Sequence, residues 1–467
     1  MANTNVKKDL FENTPVPKAL ATVAVPTVIS QLINLIYNIA DTFYVGRTGD
    51  PYMIAAVSLA FTLFVMQVPI ANLFGVGGGG LISRLLGQSQ HDRAKAVSAF
   101  SFYGAIAFAL LYALGMLVFL NPILYALGAS DATIEYARQY MLLVVIIGAI
   151  PTIVSQVLSH LLRNAGYSKQ ASLGLSGGGI LNIILDPLFM FVIFPRDMAV
   201  FGAALATLVS NIASMIYFLI TVNKVSKITV LSLDFADARR ITGEDAKSTF
   251  SVGIPAAILP GLYDLCNMFL NSHMAYHGDL QLAAIGIVLK VERLPNAIGL
   301  GISQGMLPLV GYNFSSGNHK RMNEIMNTAR VYGLIITFAT VTLYEIFAGP
   351  ITGIFISTAN AGDASVALEY AKTFLRIRAT MAPFMFINYH TSYCMQAMGD
   401  GRGTLLHSVG RQLVFNIPLL FLFDYLWAET GLCLSIVVGE FLAGILAILL
   451  LRAWMKKVAK EPKISYN

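Results

Sequence analysis

From Ala19 to Ala40 the chain reads "ALATVAVPTVISQLINLIYNIA", twenty-two residues without a charge. A run of this length decides which solvent the chain folds in. About 20 apolar residues in helical form cross the hydrocarbon core of a bilayer. Comparable runs recur near 53–82, 96–120, 137–160, 170–195, 200–222, 249–276, 281–312, 328–352, 366–397, 404–427 and 430–454. The runs are continuous rather than alternating, which excludes a β-barrel and leaves helices as the way to satisfy the backbone in lipid. The expected fold is an all-α integral membrane protein of about twelve transmembrane helices. Charge supply agrees. Only 12% of the 467 residues are charged, against roughly 25% in soluble domains, so a soluble enzyme with a large core is excluded.

The opening stretch, "MANTNVKKDLFENTPVPK", has no short apolar run or cleavage site of the secretory kind. The first run is therefore read as the first span. Lys and Arg collect at the N-terminal segment, at the C-terminal tail and after even-numbered spans: Arg84, Arg93 and Lys95; Arg163 and Lys169; Lys224 to Lys247; Lys320, Arg321 and Arg330; Arg402. The opposite loops offer little beyond Arg47, Arg138 and Arg196. Positive charge marks the cytoplasmic side. The pattern places both termini in the cytoplasm of a cell with the chain in its inner (cytoplasmic) membrane. It also accounts for the net charge of +6 without a nucleic-acid partner. Cys266, Cys394 and Cys433 lie inside apolar runs with no metal-ligand spacing, so they read as small buried hydrophobes and no disulfide is expected.

The two halves of the chain repeat. Gln90-His91-Asp92-Arg93 matches Asn318-His319-Lys320-Arg321 at a shift of 228, and "LLRNAGYSKQASL" (161–173) matches "CMQAMGDGRGTLL" (394–406). Six spans per half is an even number, so the halves share one orientation and are related by a pseudo-twofold axis along the membrane normal. The expected organisation is an N-terminal segment (1–18), an N-lobe (19–222), an inter-lobe loop (223–248), a C-lobe (249–454) and a tail (455–467), with a central cleft between two six-helix lobes.

Asp41 ends the first run, and it has company. Gln31, Asn34, Asn38 and Asp41 recur every three or four residues, with Tyr37 beside them, so they share one helical face. Such a face must turn to protein or to water, because a charged acid at the bilayer centre costs roughly 2.5 kcal/mol or more. Pro26 lies earlier in the same span, where its missing N–H makes a bend easier. Asn182 and Asp186 are four apart on span five, and Thr207 and Asn211 four apart on span six. Asp41, Asn182, Asp186 and Thr207 together supply oxygens suited to a hard cation such as Na+, or to a shared proton. The plainer alternative is that they hydrogen-bond helices together.

These stretches resemble the MATE (multidrug and toxic compound extrusion) family. "PTVISQLINLIYNIADTFYVGRTGD" is similar to its first helix, "NIILDPLFMF" with "GAALATLVS" to its fifth and sixth, and "SQGMLPLVGYNFSSGNHKRM" to its eighth and the following loop. The resemblance runs nearly end to end. It implies two lobes alternating between outward and inward openings, and a secondary active antiporter exporting amphipathic, often cationic, compounds in exchange for H+ or Na+. It also implies a cation or proton site at Asp41, Asn182, Asp186 and Thr207, and a helix-bending role for Pro26.

The C-terminal half carries Asp264, Asn267 and Asn271 on span seven, Lys290, Glu292 and Arg293 on span eight, Arg376 and Arg378 on span ten and Glu440 on span twelve. Asp264 and Glu292 are the candidates there for meeting a cationic substrate, with Gln31, Asn34, Tyr37 and Asn38 opposite. Internal ion pairing is the alternative. The cleft is expected to be lined by aromatics and methionines. "FGVGGGGLISR" lacks the Gly-Lys-Ser/Thr ending of a phosphate loop and reads as close helix packing. His160, His390 and His407 stand singly, and no nucleophile or metal constellation is present, which argues against an enzyme. No cofactor is expected beyond the coupling ion. The partners are small amphipathic molecules and membrane lipid, and the chain is expected to be a monomer. The competing function is a flippase for lipid or polyprenyl-linked substrates, for which Lys290, Arg293, Arg376 and Arg378 would supply a basic cleft.

Overall fold

The computed structural model describes residues 8–355 and 363–460. Residues 1–7 and 461–467 of the expected terminal segments lie outside the described residues. Twelve helical spans follow one another, and no strand occurs among the described residues. They are α1 (Val16–Gly46), α2 (Pro51–Gly87), α3 (His91–Val118), α4 (Ile134–Asn164), α5 (Ser168–Ile193), α6 (Arg196–Ser226), α7 (Gly243–His277), α8 (279–315), α9 (His319–Gly353), α10 (363–398), α11 (401–426) and α12 (429–460).

Several spans are broken, and composition alone does not reveal it. α2 turns at Met66, and α4 bends by 44° at Gly148, after a stretch of π-helix over Met141–Ile147. α8 is jointed at Glu292, and α10 divides between Ala379 and Ala382. Between α11 and α12, which the sequence reading sets apart as two runs, the backbone leaves the helix at Trp427 and Ala428. Glu440 then bonds Arg411 at 2.8 Å, although they stand 29 residues apart. A straight helix would separate them by about 43 Å, so the chain doubles back.

Local signals set the helix ends. Asp50 accepts from the Tyr52 N–H at 2.8 Å ahead of Pro51, which suits the first turn of α2. Thr242 caps α7 from within the expected 223–248 loop, so that loop is shorter than the sequence suggested. α10 ends on Gly399, whose φ of +85° needs no Cβ.

α1–α6 and α7–α12 form two lobes. They meet along α1 with α8 and α2 with α7. In the first seam Leu20, Val23 and Ala24 share one apolar cluster with Met306, Leu309 and Val310. In the second, Val76 packs on Val252 and Ala256. Glycines let backbones touch. A methyl group on Gly253 would collide with the Leu73 carbonyl, and one on Gly305 would lie 2.5 Å from the Ala24 Cα. The Gly75–Gly80 run packs in the same manner, with Gly77 against the Thr249 carbonyl, as the sequence reading expected.

The repeated loops brace this end of the molecule. Arg93 grips Asp245 with two nitrogens, at 2.6 and 3.1 Å, and so holds the start of α7. Arg321, its counterpart at the 228-residue shift, donates to the Phe11 and Thr14 carbonyls at 2.8 and 2.5 Å, just ahead of α1. Each lobe therefore clasps the beginning of the other.

Candidate functional site

A cavity of about 490 Å³ lies between the lobes. It reaches residues of α1, α2 and α4–α8, and of α10 and α11. Gln31, Asn34, Tyr37 and Asn38 all line it. Asn34 is exposed within it. The aromatic lining is Tyr37, Phe61, Phe64, Tyr263, Tyr389 and Tyr393. Contrary to the sequence reading, no methionine is part of this lining. A rail of amides crosses between lobes: Gln31 donates to Gln304 at 2.8 Å, and Gln304 donates to the Tyr393 hydroxyl at 3.0 Å.

Asn182 and Thr207 also line the cavity, while Asp41 and Asp186 stand behind that wall. Asn182 donates to Asp186 Oδ1 at 3.2 Å and to Thr207 Oγ1 at 3.3 Å. Asp41 lies within electrostatic reach of Asp186. Both acids are buried, at 7% and 0% exposure. Asp41 Oδ1, Asn182 Oδ1 and Asp186 Oδ2 have no hydrogen-bond partner among the described residues. These three buried oxygens are left free to take a proton or to face a hard cation. Tyr37 and Tyr140 both stand within electrostatic reach of the two acids. Tyr140 was missed in the sequence, where it reads as one more aromatic of span four. Pro26 sits inside α1, which continues as helix through it.

The C-lobe candidates fare differently. Glu292 does not line the cavity. It is buried and spends both oxygens on Arg378, at 2.8 Å each. Asp264 is exposed and also absent from the lining. Lys290 and Arg293 are exposed, and Arg376 stands 3.8 Å from Glu345. None of these four basic residues named for a basic cleft lines the cavity. Glu440, buried at 1% exposure, receives bonds from Arg411, Asn388 and Asn416. His407 joins that network between Ser392 and Asn388, and His390 meets the Met326 carbonyl.

A further correction concerns Arg163, counted in the sequence as a loop charge. α4 continues to Asn164, so Arg163 is inside it, 2% exposed, and it lines the cavity. Arg84 is likewise buried, donating to the Gln396 and Ala397 carbonyls across the lobes at 3.3 Å.

The MatE family model matches residues 26–188 and 255–422, most of both lobes. The chain belongs to the MATE family. Members of the MATE family are transporters rather than enzymes, and this chain is a multi-pass membrane transporter. It is 32% identical over 440 residues to a multidrug export protein, MepA, of Staphylococcus aureus, covering 94% of each chain. A MepA of Staphylococcus saprophyticus is 31% identical over 441 residues, with the same coverage. Among solved structures, a MATE protein in a straight conformation matches with a TM-score of 0.90 at 24% identity, covering 97% of this chain and 99% of that one. One in a bent conformation matches at 0.86 and 23%, covering 96% and 97%. These two show the shared fold, and the two-lobe arrangement of twelve helices is that of MATE transporters.

Proposed function

We propose that this MATE protein is a secondary active multidrug exporter, exchanging amphipathic, often cationic, compounds for H+ or Na+. The observation that carries the exchange is the pair of buried acids behind the polar cavity wall, with oxygens left unshared. A group that gains and loses a proton or a cation there changes the charge beside the cavity, and so biases which way the lobes open. The names of the MepA relatives support the export of varied drugs. The oxygen set of Asp41, Asn182, Asp186 and Thr207 fits Na+ as a transported ion, and fits a proton equally well. The four residues that the flippase alternative named for a basic cleft lie elsewhere.

Positive charge around the seam end matches the cytoplasmic side. In the bacterial inner membrane, with both termini inside, the clasped state is then outward-facing. The reading needs no resident cofactor, no nucleic acid and no second copy. Its test is reconstitution in liposomes with a Na+ or a pH gradient imposed separately and a fluorescent organic cation as reporter. Uptake driven by one gradient supports exchange, and uptake indifferent to both rejects it.

Asp186→Asn should weaken coupling in the same assay. Because Asn182 bridges Asp186 to Thr207 and Asp41 is close by, Asp41→Asn with Asp186→Asn should cost less than the two singles summed. Strict additivity between partly active singles would mean separate sites.

Pro26→Ala tests bending. It restores a backbone donor and removes a ring clash worth on the order of 3 kcal/mol in a helix interior, so the unbent helix gains. Two named conformations, straight and bent, among structures of this fold agree with such a device. Turnover should fall while thermal stability and equilibrium binding change less. Loss of all three together would indicate a purely static role.

A further inference from the structure

Arg163 has no carboxylate partner among the described residues. Its side chain meets Ser159 Oγ and His160 Nδ1, both at 3.4 Å, and its Nε has no acceptor. It is 2% exposed, yet it lines the central cavity. A buried guanidinium left this way is costly to the fold, since desolvation is not offset by an opposite charge. The other buried arginines are treated differently: in the C-lobe Arg378 has Glu292 and Arg411 has Glu440, each at 2.8 Å, and in the N-lobe Arg84 donates to the Gln396 and Ala397 carbonyls and to Ser248.

Internal symmetry offers a control. In the repeat of 161–173 on 394–406, Arg163 corresponds to Gln396. Gln396 also lines the cavity, so the same position in the second lobe is a neutral amide, and the guanidinium beside it, Arg84, spends its donors on the Gln396 and Ala397 carbonyls. Around Arg163 the chemistry suits an anion on an aromatic body. Tyr393 lies within electrostatic reach of Arg163, and Tyr389 sits one turn earlier on α10. Arg411, also on the cavity wall, stacks on the Tyr389 ring at 5.1 Å. Arg163 and Arg411 line this cavity while Asp and Glu do not, and the charge of Arg411 is already balanced by Glu440.

We infer that Arg163 is an anion-accepting subsite of the transport cavity, taking the carboxylate of a zwitterionic or anionic aromatic amphiphile. The inference rests on the export reading above and names a substrate class for the same cavity. A zwitterion would set its amine toward the wall of Tyr37, Asn182 and Thr207, with the acids behind it, and its carboxylate toward Arg163. The Tyr389–Tyr393 face would carry the ring between them. Guanidinium is the fitting receptor because its planar donors match a carboxylate and stay charged.

The test uses the purified full-length protein and two probes, a rhodamine dye with a free carboxylate and its ethyl ester. Fluorescence polarisation reads equilibrium affinity for each. The wild type should prefer the acid. Arg163→Gln should lower the acid-over-ester preference by about tenfold, as a lost charged hydrogen bond implies. Arg163→Lys should restore part of it, since the charge stays and the fork is lost. An arm without substitution guards against misfolding: benzoate should displace the acid dye from the wild type and leave the ester bound. Equal preference in the wild type, equal loss of both dyes in Arg163→Gln, or benzoate displacing both dyes alike would overturn the inference. Gradient-driven uptake of the ester into liposomes separately reports on export. Its failure, with acid preference intact, would remove the transport reading and keep the subsite.

Discussion

Asp41→Asn should remove most gradient-driven transport while the protein still reaches the membrane. The amide keeps the shape of the side chain but has one charge state. Asp41 is 7% exposed, its Oδ1 lacks a partner, and Asp186 stands within electrostatic reach. An amide at this place removes one of two like charges and with it the choice between occupied and empty ion sites. The substitution relieves charge burial, so thermal stability should hold or rise. That combination separates a coupling role from a packing role, because a helix-to-helix hydrogen bond lost at Asp41 would lower stability along with transport. Near-normal coupled uptake by the variant would end the assignment.

Gly253→Val should push the lobes apart at the clasped end. The added Cβ meets the Leu73 carbonyl, which is backbone and cannot rotate away. Overpacking of this kind costs about 1–3 kcal/mol, and it is paid only in the state where α2 and α7 touch. The equilibrium between lobe arrangements should therefore move roughly 5- to 150-fold toward the state open at this end. Spin labels at Asp92→Cys and Glu244→Cys report the change. Both positions are exposed and flank the Arg93–Asp245 clasp, and the three native cysteines are buried. A longer distance population should appear with Gly253→Val. An unchanged distance distribution with normal turnover would show that the seam yields without opening.

The transmembrane architecture was legible because its cause is local. A run such as 19–40 has to find lipid whatever the rest of the chain does, and polar residues three or four apart share a helix face by geometry alone. Gln31, Asn34, Tyr37 and Asn38, grouped by that spacing, line one cavity. The grouping of Asp41 with Asn182, Asp186 and Thr207 rested on their shared oxygen chemistry and on the family resemblance, since three separate helices contribute and spacing alone does not join them. The turn at Trp427 and Ala428 was placed by length, because an apolar stretch of that size must cross twice.

Tertiary structure decided which charges meet. Glu292 and Arg378 are 86 residues apart, and only the packing of α8 on α10 commits them to each other rather than to a substrate. Arg163 looked like a loop cation because charge ends an apolar run in sequence, yet α4 carries it one turn further and into the cavity. Tyr140 came within electrostatic reach of the two acids through the packing of the first part of α4 on α2 and α6, with no signal in its own neighbourhood. Hydrophobic periodicity is set residue by residue against the solvent. The fate of a buried charge depends on the partner that the fold brings within about 3 Å, and the linear sequence does not contain that distance.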